Sequence, residues 1–198
     1  MFHLNEEFVI KSRIDGRSSK VSEMLADFEA QNQDNTAFSP VIRFSDDCLS
    51  SNNTVSFLCK IKDLCPLVFF ETIFPKDATN PALGINSILN YINEYPKVNN
   101  RFVLKIGGTD ERQRKEKFGG QALGLSDISK MFSKQPFKKK PTLEISSDID
   151  LDISKLASLF SPDKFFFSFT KDFSGRKKEV EKKMVSGGFM PEPLIDYQ

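Results

Sequence analysis

Positively charged side chains are concentrated in two segments of the sequence that each follow a predicted strand. Residues 107–117 come directly after the apolar run Phe102–Ile106, and residues 171–178 come soon after Phe165–Phe169. Because ligands of parallel α/β proteins bind in the loops at the carboxyl ends of the strands, we expect these two segments to meet at one face. The cations predicted to bind a phosphate there are Arg112, Arg114, Lys115, Lys171, Arg176 and Lys177.

Two interpretations of these cations stay open. Acidic residues such as Glu111, Glu116 and Glu179 are interleaved with the basic ones, as on an ordinary solvated surface. The formal net charge of the chain is +1, which argues against a strongly basic nucleic-acid-binding protein. The other interpretation is a local face that attracts phosphate by charge and by counterion release.

Gly107 and Gly108 extend this predicted site, because a backbone without side chains can approach a phosphate closely. The sequence lacks the full spacing of a dinucleotide-binding or phosphate-binding loop, and a pair of glycines is also typical of a tight turn. Both roles are compatible with the sequence.

Lys105 lies in an otherwise apolar strand, where burial would lower the pKa of its amine and make it a candidate catalytic group. A small-molecule enzyme could use Lys105, Asp110 or Glu144 at the mouth of the sheet. An outward-facing, solvated Lys105 is the simpler alternative.

The sequence gives little indication of a metal site or of a catalytic thiol. Cys48, Cys59 and Cys65 fit no common zinc or redox spacing, and His3 is the single histidine. Asp148-x-Asp150-x-Asp152 resembles the start of a calcium loop but lacks its glycine, so we predict that it caps a helix. We therefore predict no metal and no cofactor.

The same composition favours a soluble, cytoplasmic protein. The odd number of cysteines and the absence of a secretory signal at residues 1–11 indicate a reducing compartment. The longest apolar run, Cys65–Phe70, is far shorter than the roughly 18 residues of a membrane span, so we expect no membrane contact.

The chain has twenty phenylalanines and no tryptophan. An AT-rich genome explains such a bias, since its codons favour Phe, Lys and Asn. A surface that stacks nucleic-acid bases would require Phe exposed on one face. Most of these residues lie in apolar runs, which favours a role in the core.

The elements that would position these residues alternate along the chain. Between residues 101 and 175, an apolar run, a turn and an amphipathic segment occur three times in succession, which predicts βαβ units and a parallel sheet. We predict a single α/β domain over residues 1–198, with a mainly parallel sheet of about six strands in a partial (β/α) barrel. The candidate strands are Phe8–Ile14, Pro40–Phe44, Thr54–Ile61, Pro66–Phe74, Phe102–Ile106, Thr142–Ile145 and Phe165–Phe169.

Helical spacing of apolar residues predicts the connecting helices. The predicted helices are Ser18–Ala30, a helix that opens at Pro81, one whose face holds Leu125, Ile128 and Phe132, a short helix capped within Asp148–Asp152, and a final helix from Ser174-Gly175 to Gly187-Gly188. The segment from Gly107 to Gln121 is predicted to be a long polar loop. Thr54–Ile61 is predicted to be a strand with Cys59 on its buried face.

Several of these segments resemble the C-terminal half of radical-SAM ribosomal-RNA methyltransferase-like proteins. The resemblance covers residues 106–189 and rests on Ile106-Gly-Gly-Thr-Asp-Glu-Arg-Gln-Arg114, Phe160-Ser-Pro-Asp-Lys-Phe165 and Gly188-Phe189. The cysteine motif that holds the family's iron–sulfur cluster is missing, and Lys105-x-Gly107 stands where the family has Ser-x-His. The resemblance therefore implies the barrel scaffold without the cluster chemistry.

Together, the resemblance and the cations predict a non-catalytic or accessory binding protein. Its expected ligand is RNA or another phosphorylated molecule, bound by the basic loops after the strands, and a protein partner could complete the barrel. The alternative is a small-molecule enzyme, related to a divergent SAM-dependent methyltransferase, with its site at the carboxyl ends of the strands.

Overall fold

The computed structural model describes residues 11–14, 20–32, 41–44, 53–61, 67–74, 81–95, 99–133 and 138–193. The predicted start of the first strand at Phe8, together with His3, Cys48 and Cys65, lies outside these residues. The elements of the described chain are β1 (Lys11–Ile14), α1 (Val21–Asn32), β2 (Val41–Phe44), α2 (Asn53–Ile61), β3 (Leu67–Thr72), α3 (Pro81–Glu94), β4 (Asn99–Gly107), α4 (Glu111–Lys117), α5 (Leu125–Phe132), β5 (Thr142–Ile145), α6 (Ile153–Leu159), β6 (Phe166–Phe169), α7 (Lys177–Ser186) and β7 (Met190–Pro191).

The α/β class and the parallel sheet are confirmed. β1 pairs with β2 and β2 with β3, while β4 pairs with β5, β5 with β6 and β6 with β7, and every one of these pairs is parallel. Closure of the strands into a partial barrel stays a prediction. Among the described residues, no helix has the length and apolarity that crossing a membrane requires.

The chain divides into two compact units. Unit 1 comprises residues 1–71, 78–101 and 193–198, and unit 2 comprises residues 72–77 and 102–192. The prediction of one domain over the whole chain is not tested by this division.

The core of unit 1 is built from the apolar faces of its three helices. Phe28 of α1 and Phe57 of α2 meet edge to face, with ring centroids 6.1 Å apart. Phe70 of β3 and Tyr91 of α3 make a second such contact at 6.1 Å. Aromatic pairs of this geometry stabilise a core beyond their buried area.

In unit 2, Leu104, Leu143 and Phe167 lie in register on β4, β5 and β6 and are completely or almost completely buried. Phe132 of α5 contacts the rings of Phe102 and Phe165 at 5.9 and 6.0 Å. The buried phenylalanines of unit 2 are Phe74, Phe102, Phe132, Phe160, Phe165, Phe167 and Phe189. Phenylalanine therefore contributes to the core of this unit, as expected from the apolar runs.

The prediction that Thr54–Ile61 is a strand is wrong, because this segment forms α2. Its buried residues, Thr54, Phe57, Leu58 and Ile61, recur at helical spacing. The alternation of Val55, Phe57, Cys59 and Ile61 also fits a strand, but Leu58 does not. Cys59, expected in the core, is exposed on this helix.

Candidate functional site

A cleft of about 550 Å³ lies at the carboxyl ends of β5 and β6 in unit 2. Its walls come from the turn after β4, the loop after β5, the start of α6, the turn after β6, and α7. Residues 109–111, 145–147 and 149–153 line it, together with Lys155, Phe173, Arg176, Glu179, Val180 and Lys183. This is the edge of the sheet at which the sequence predicts a site.

Thr109 fastens the turn after β4 to the loop after β5. Its N–H donates to the Asp150 carbonyl at 2.8 Å, and its hydroxyl accepts from the Asp152 N–H at 2.7 Å. Its own carbonyl accepts from Lys155 Nζ at 2.8 Å. Hydrogen bonds between backbone and side chain at both loops hold two walls of the cleft together.

Gln113 strengthens the same connection from α4. Its amide nitrogen donates to Asp150 Oδ2 at 3.0 Å, and its amide oxygen accepts from the Asp150 N–H at 2.6 Å. Asp150 is therefore held by both its backbone and its carboxylate, with one carboxylate oxygen left to meet a ligand.

Two carboxylates of the cleft cap helices. Asp110 Oδ1 accepts from the Gln113 N–H at 2.8 Å at the start of α4, and Asp152 Oδ1 accepts from the Lys155 N–H at 3.0 Å at the start of α6. Capping by Asp152 confirms the interpretation of the Asp148–Asp152 segment. The predicted polar loop between Gly107 and Gln121 is wrong in part, because it contains α4.

Gly107 and Gly108 form a tight turn that packs against the next loop. Gly107 has φ of +71°, and a Cβ on Gly108 would lie 2.6 Å from Ile149 Cγ2 and 2.7 Å from the Asp150 carbonyl oxygen. This side of the glycine pair is therefore covered by protein atoms. The tight-turn alternative accounts for both residues.

Arg114 lies inside the fold instead of at the face where it was predicted. Its exposed fraction is 1%, and its Nε donates to the Ile106 carbonyl at 2.8 Å. Its Nη1 donates to Glu111 Oε2 at 2.9 Å and to the Leu123 carbonyl at 3.3 Å. Burial lowers the pKa of the guanidinium, and the charge of Glu111 offsets part of this shift.

The other predicted cations on α4 are exposed and lie outside the lining of the cleft. Arg112 forms an ion pair with Glu116 at 3.2 Å, and Lys115 is exposed nearby. Lys117 pairs with Asp148 at 2.7 Å, and this contact lowers the pKa of the Asp148 carboxyl. Ion pairs of this kind are weak but reduce the charge available to a ligand.

The cations after β6 differ in their relation to the cleft. Arg176, at the start of α7, is exposed and lines it. Its carbonyl accepts from the Val180 N–H at 3.0 Å, and its positive charge contributes to the lowered pKa of Glu179, but its guanidinium donates no hydrogen bond to the described residues. Lys171 is exposed outside the lining, and Lys177 Nζ lies 5.5 Å from the ring centroid of Phe169. All nine predicted site residues belong to the described chain, and of these only Arg176 lines the cleft.

Lys105 and Glu144 lie side by side in register on β4 and β5, both half-buried. Neither lines the cleft, whereas Asp110 does. The three candidate catalytic groups are therefore not brought together by this cleft.

The cleft combines charges of both signs. Its carboxylates are Asp110, Glu111, Asp150, Asp152 and Glu179, and its cations are Lys155, Arg176 and Lys183. Lys183 Nζ contacts Glu179 Oε1 at 2.7 Å, and this hydrogen bond lowers the pKa of Glu179. Lys155 and Lys183 each donate one hydrogen bond within the fold, whereas the Arg176 guanidinium donates none to the described residues.

An aromatic residue that sequence reasoning did not assign to the site also lines the cleft. Phe173 is half-buried in the turn after β6, with its ring centroid 4.5 Å from that of Phe169. Its position soon after a predicted strand was the available signal. Thr109, Ser146 and Asp150 were missed in the same way.

Among the described residues, no group of three or more His, Cys, Asp or Glu side chains is arranged to hold a metal ion. Comparison of the chain with models of protein families, with curated proteins and with solved structures found no match. The resemblance to radical-SAM methyltransferase-like proteins is therefore untested by these comparisons.

Proposed function

We propose that this chain binds a small phosphorylated molecule in the cleft at the carboxyl ends of β5 and β6. The observation that carries the proposal is a cleft of about 550 Å³ whose lining includes the exposed guanidinium of Arg176, which donates no hydrogen bond to the described residues. Sites for small molecules in proteins typically occupy about 300–1,000 Å³, so the size is suitable. A guanidinium with free N–H groups matches the geometry of a phosphate.

The charges around the cleft are unevenly distributed, and this distribution describes the rest of the ligand. Arg176 and Lys183 lie on the α7 side together with Glu179, which contacts Lys183. Asp110, Asp150 and Asp152 lie on the side of the loops after β4 and β5 together with Lys155, whose Nζ donates to the Thr109 carbonyl. Carboxylates accept hydrogen bonds from hydroxyl or amino groups. The ligand proposed here therefore has an anionic group on the α7 side and hydroxyl or amino groups on the loop side.

Of the two ligand classes predicted from the sequence, the small phosphorylated molecule has more support than RNA. Arg114 is used inside the fold, and Arg112 and Lys117 already contact carboxylates. A continuous basic track of the kind that follows a nucleic-acid backbone is not formed by these residues.

A small-molecule enzyme is the second candidate. It is favoured by Lys105 and Glu144, whose side-by-side position on β4 and β5 brings two groups capable of acid–base chemistry together. The relationship to radical-SAM methyltransferase-like proteins is also proposed, and the parallel strands paired in chain order support it as a scaffold.

The binding proposal is tested by the variant Arg176→Gln. Ribose phosphate should raise the thermal unfolding temperature of the wild type, and its affinity by calorimetry should fall about tenfold in the variant because a charge-assisted hydrogen bond is lost. Arg112→Gln is the matched control, since Arg112 is exposed outside the cleft, and it should bind as the wild type does.

Two results would contradict this proposal. One is ribose phosphate that fails to bind the wild type, or that binds Arg176→Gln with unchanged affinity. The other is a single-stranded oligonucleotide that binds with strong salt dependence and is weakened by Arg112→Gln more than by Arg176→Gln, which would favour RNA.

A further inference from the structure

We infer that the phosphorylated ligand of this cleft carries a planar aromatic ring that stacks on Phe173, as a nucleoside monophosphate would. This inference rests on the proposed function and names the class of molecule that the same site takes. It is carried by the position of Phe173 and by the arrangement of apolar and charged groups around it.

Three phenyl rings form a continuous series that ends in the cleft. The centroid of the buried Phe167 lies 5.6 Å from that of Phe169, and Phe169 lies 4.5 Å from Phe173. The Phe173 N–H donates to the Thr170 carbonyl at 3.0 Å, which fixes the turn that carries the ring. Phe173 is therefore held in place from behind while part of its surface lines the cleft.

The cleft has apolar as well as charged residues in its lining. Ile145, Ile149 and Val180 line the cleft with Phe173, and both isoleucines are buried. Phe173 and Val180 are half-buried, and a sugar phosphate alone has no apolar surface to cover their exposed parts. A nucleobase has a π-face that stacks on an aromatic side chain whatever the identity of the base.

The charged groups complete the match to a nucleotide. Arg176 follows Phe173 by three residues and supplies a guanidinium for the phosphate, while Asp110 and Asp150 offer carboxylate oxygens to the ribose hydroxyls. Lys177 lies over Phe169 and keeps a second positive charge close to the ring series. The wall formed by the turn after β6 and by α7 therefore suits a ring and a phosphate. The wall formed by the loops after β4 and β5 suits a sugar.

The experiment compares adenosine monophosphate with ribose phosphate on the intact chain. Wild type should bind adenosine monophosphate more tightly than ribose phosphate, and the adenine ring protons should shift upfield in NMR spectra because they lie over a phenyl ring. Phe173→Leu should bind adenosine monophosphate about tenfold more weakly with the affinity for ribose phosphate unchanged.

Phe166→Leu is the matched control, since Phe166 is a half-buried phenylalanine of β6 that does not line the cleft. It should leave both affinities unchanged. If Phe173→Leu does not fold, the upfield shift of the adenine protons bound to the wild type tests the contact with the ring without any variant.

The outcomes separate this inference from the proposed function. If ribose phosphate binds through Arg176 but adenosine monophosphate binds no more tightly and shows no upfield shift, the ring inference is overturned and the proposed function stands. Unchanged affinity of Phe173→Leu for adenosine monophosphate overturns the ring inference in the same way. If neither molecule binds the wild type, the proposed function itself fails.

Discussion

Arg114 shows how the role of one side chain depends on its burial. A charged group inside a protein is tolerated only when hydrogen bonds and an opposite charge replace the lost water. Arg114 meets these conditions at Nε and Nη1, through the carbonyls of Ile106 and Leu123 and the carboxylate of Glu111, whereas its Nη2 is buried without a hydrogen-bond partner among the described residues. Glu111 in turn accepts from the Leu125 N–H at 2.8 Å, so that the pair connects the end of β4 with the starts of α4 and α5.

We predict that Arg114→Met lowers the free energy of unfolding by about 3 kcal/mol, because it leaves buried carbonyls and Glu111 without their donor. Urea denaturation measures this change. Arg112→Met removes the same type of side chain from an exposed ion pair and should change stability by less than about 0.5 kcal/mol. Equal effects of the two substitutions would show that Arg114 does not hold these elements together.

Sequence reasoning could not distinguish these arginines, because it sees the residue type and the spacing but not the direction of each side chain. Arginine is seldom fully buried, so an exposed position is the natural expectation for every one of them. Arg176 was predicted at the mouth of the site and lines the cleft, whereas Arg114 was predicted there and lies inside. The one local signal for the burial of Arg114 was the acidic Glu111 three residues before it. Such a spacing of opposite charges is also common on a solvated helix.

The tight turn between β4 and α4 determines how closely two loops approach. A Cβ on Gly108 would meet Ile149 Cγ2 at 2.6 Å and the carbonyl oxygens of Ile149 and Asp150 at 2.8 and 2.7 Å. Two of these three atoms belong to the backbone and cannot rotate away. The loop after β5 can therefore reach Thr109 only if residue 108 has no side chain.

Gly108→Ala should lower the free energy of unfolding by about 2 kcal/mol or more, as overpacking does when the neighbouring atoms cannot move. Gly124→Ala is the control, because its Cβ would have nothing closer than Asp127 Oδ2 at 3.8 Å and its φ is −65°. That variant should unfold within about 0.5 kcal/mol of the wild type. Chemical denaturation measures the free energy of unfolding of both variants. An unchanged value for Gly108→Ala would refute the close approach of the loop after β5 to residue 108.

The elements that sequence patterns predict well are those with a strong apolar period. α5 and β5 were predicted with nearly their observed bounds, since their apolar residues fit one period only. α2 was mistaken for a strand because four of its residues also alternate. α4 has the sequence ERQRKEK and no apolar face, so no period marks it, and Asp110 as its cap was the remaining signal.

At the scale of the whole chain, the fold class was predictable because apolar runs alternate with amphipathic segments. The edge of the sheet that holds the cleft was also predictable, since parallel strands direct all their carboxyl ends to one side. The chemistry of the cleft was not, because it depends on which cations are paired. The two ion pairs Arg112–Glu116 and Lys117–Asp148 reduce the positive charge that composition suggested.

The purified chain is expected to contain no iron or acid-labile sulfide above background. Its three cysteines lack the spacing of a cluster motif, and Cys59, the one that the structure describes, is exposed on α2. Iron and sulfide assays on protein purified without oxygen measure this. A stoichiometric cluster would contradict the non-catalytic binding function and favour the enzyme.

The pairing of β4 with β5, β5 with β6 and β6 with β7 has a consequence for synthesis of the protein. Each of these strands pairs with the strand that precedes it in the sequence, which leaves the ribosome first. The crossovers between them have about 20 to 34 residues, so the entropic cost of closing each loop is similar. The last strand of the described residues, β7, has two residues, and one of them is Pro191, which has no N–H to offer to a further strand. The pairing in chain order is thus compatible with adding one strand at a time during synthesis, and β7 is a poor template for aggregation.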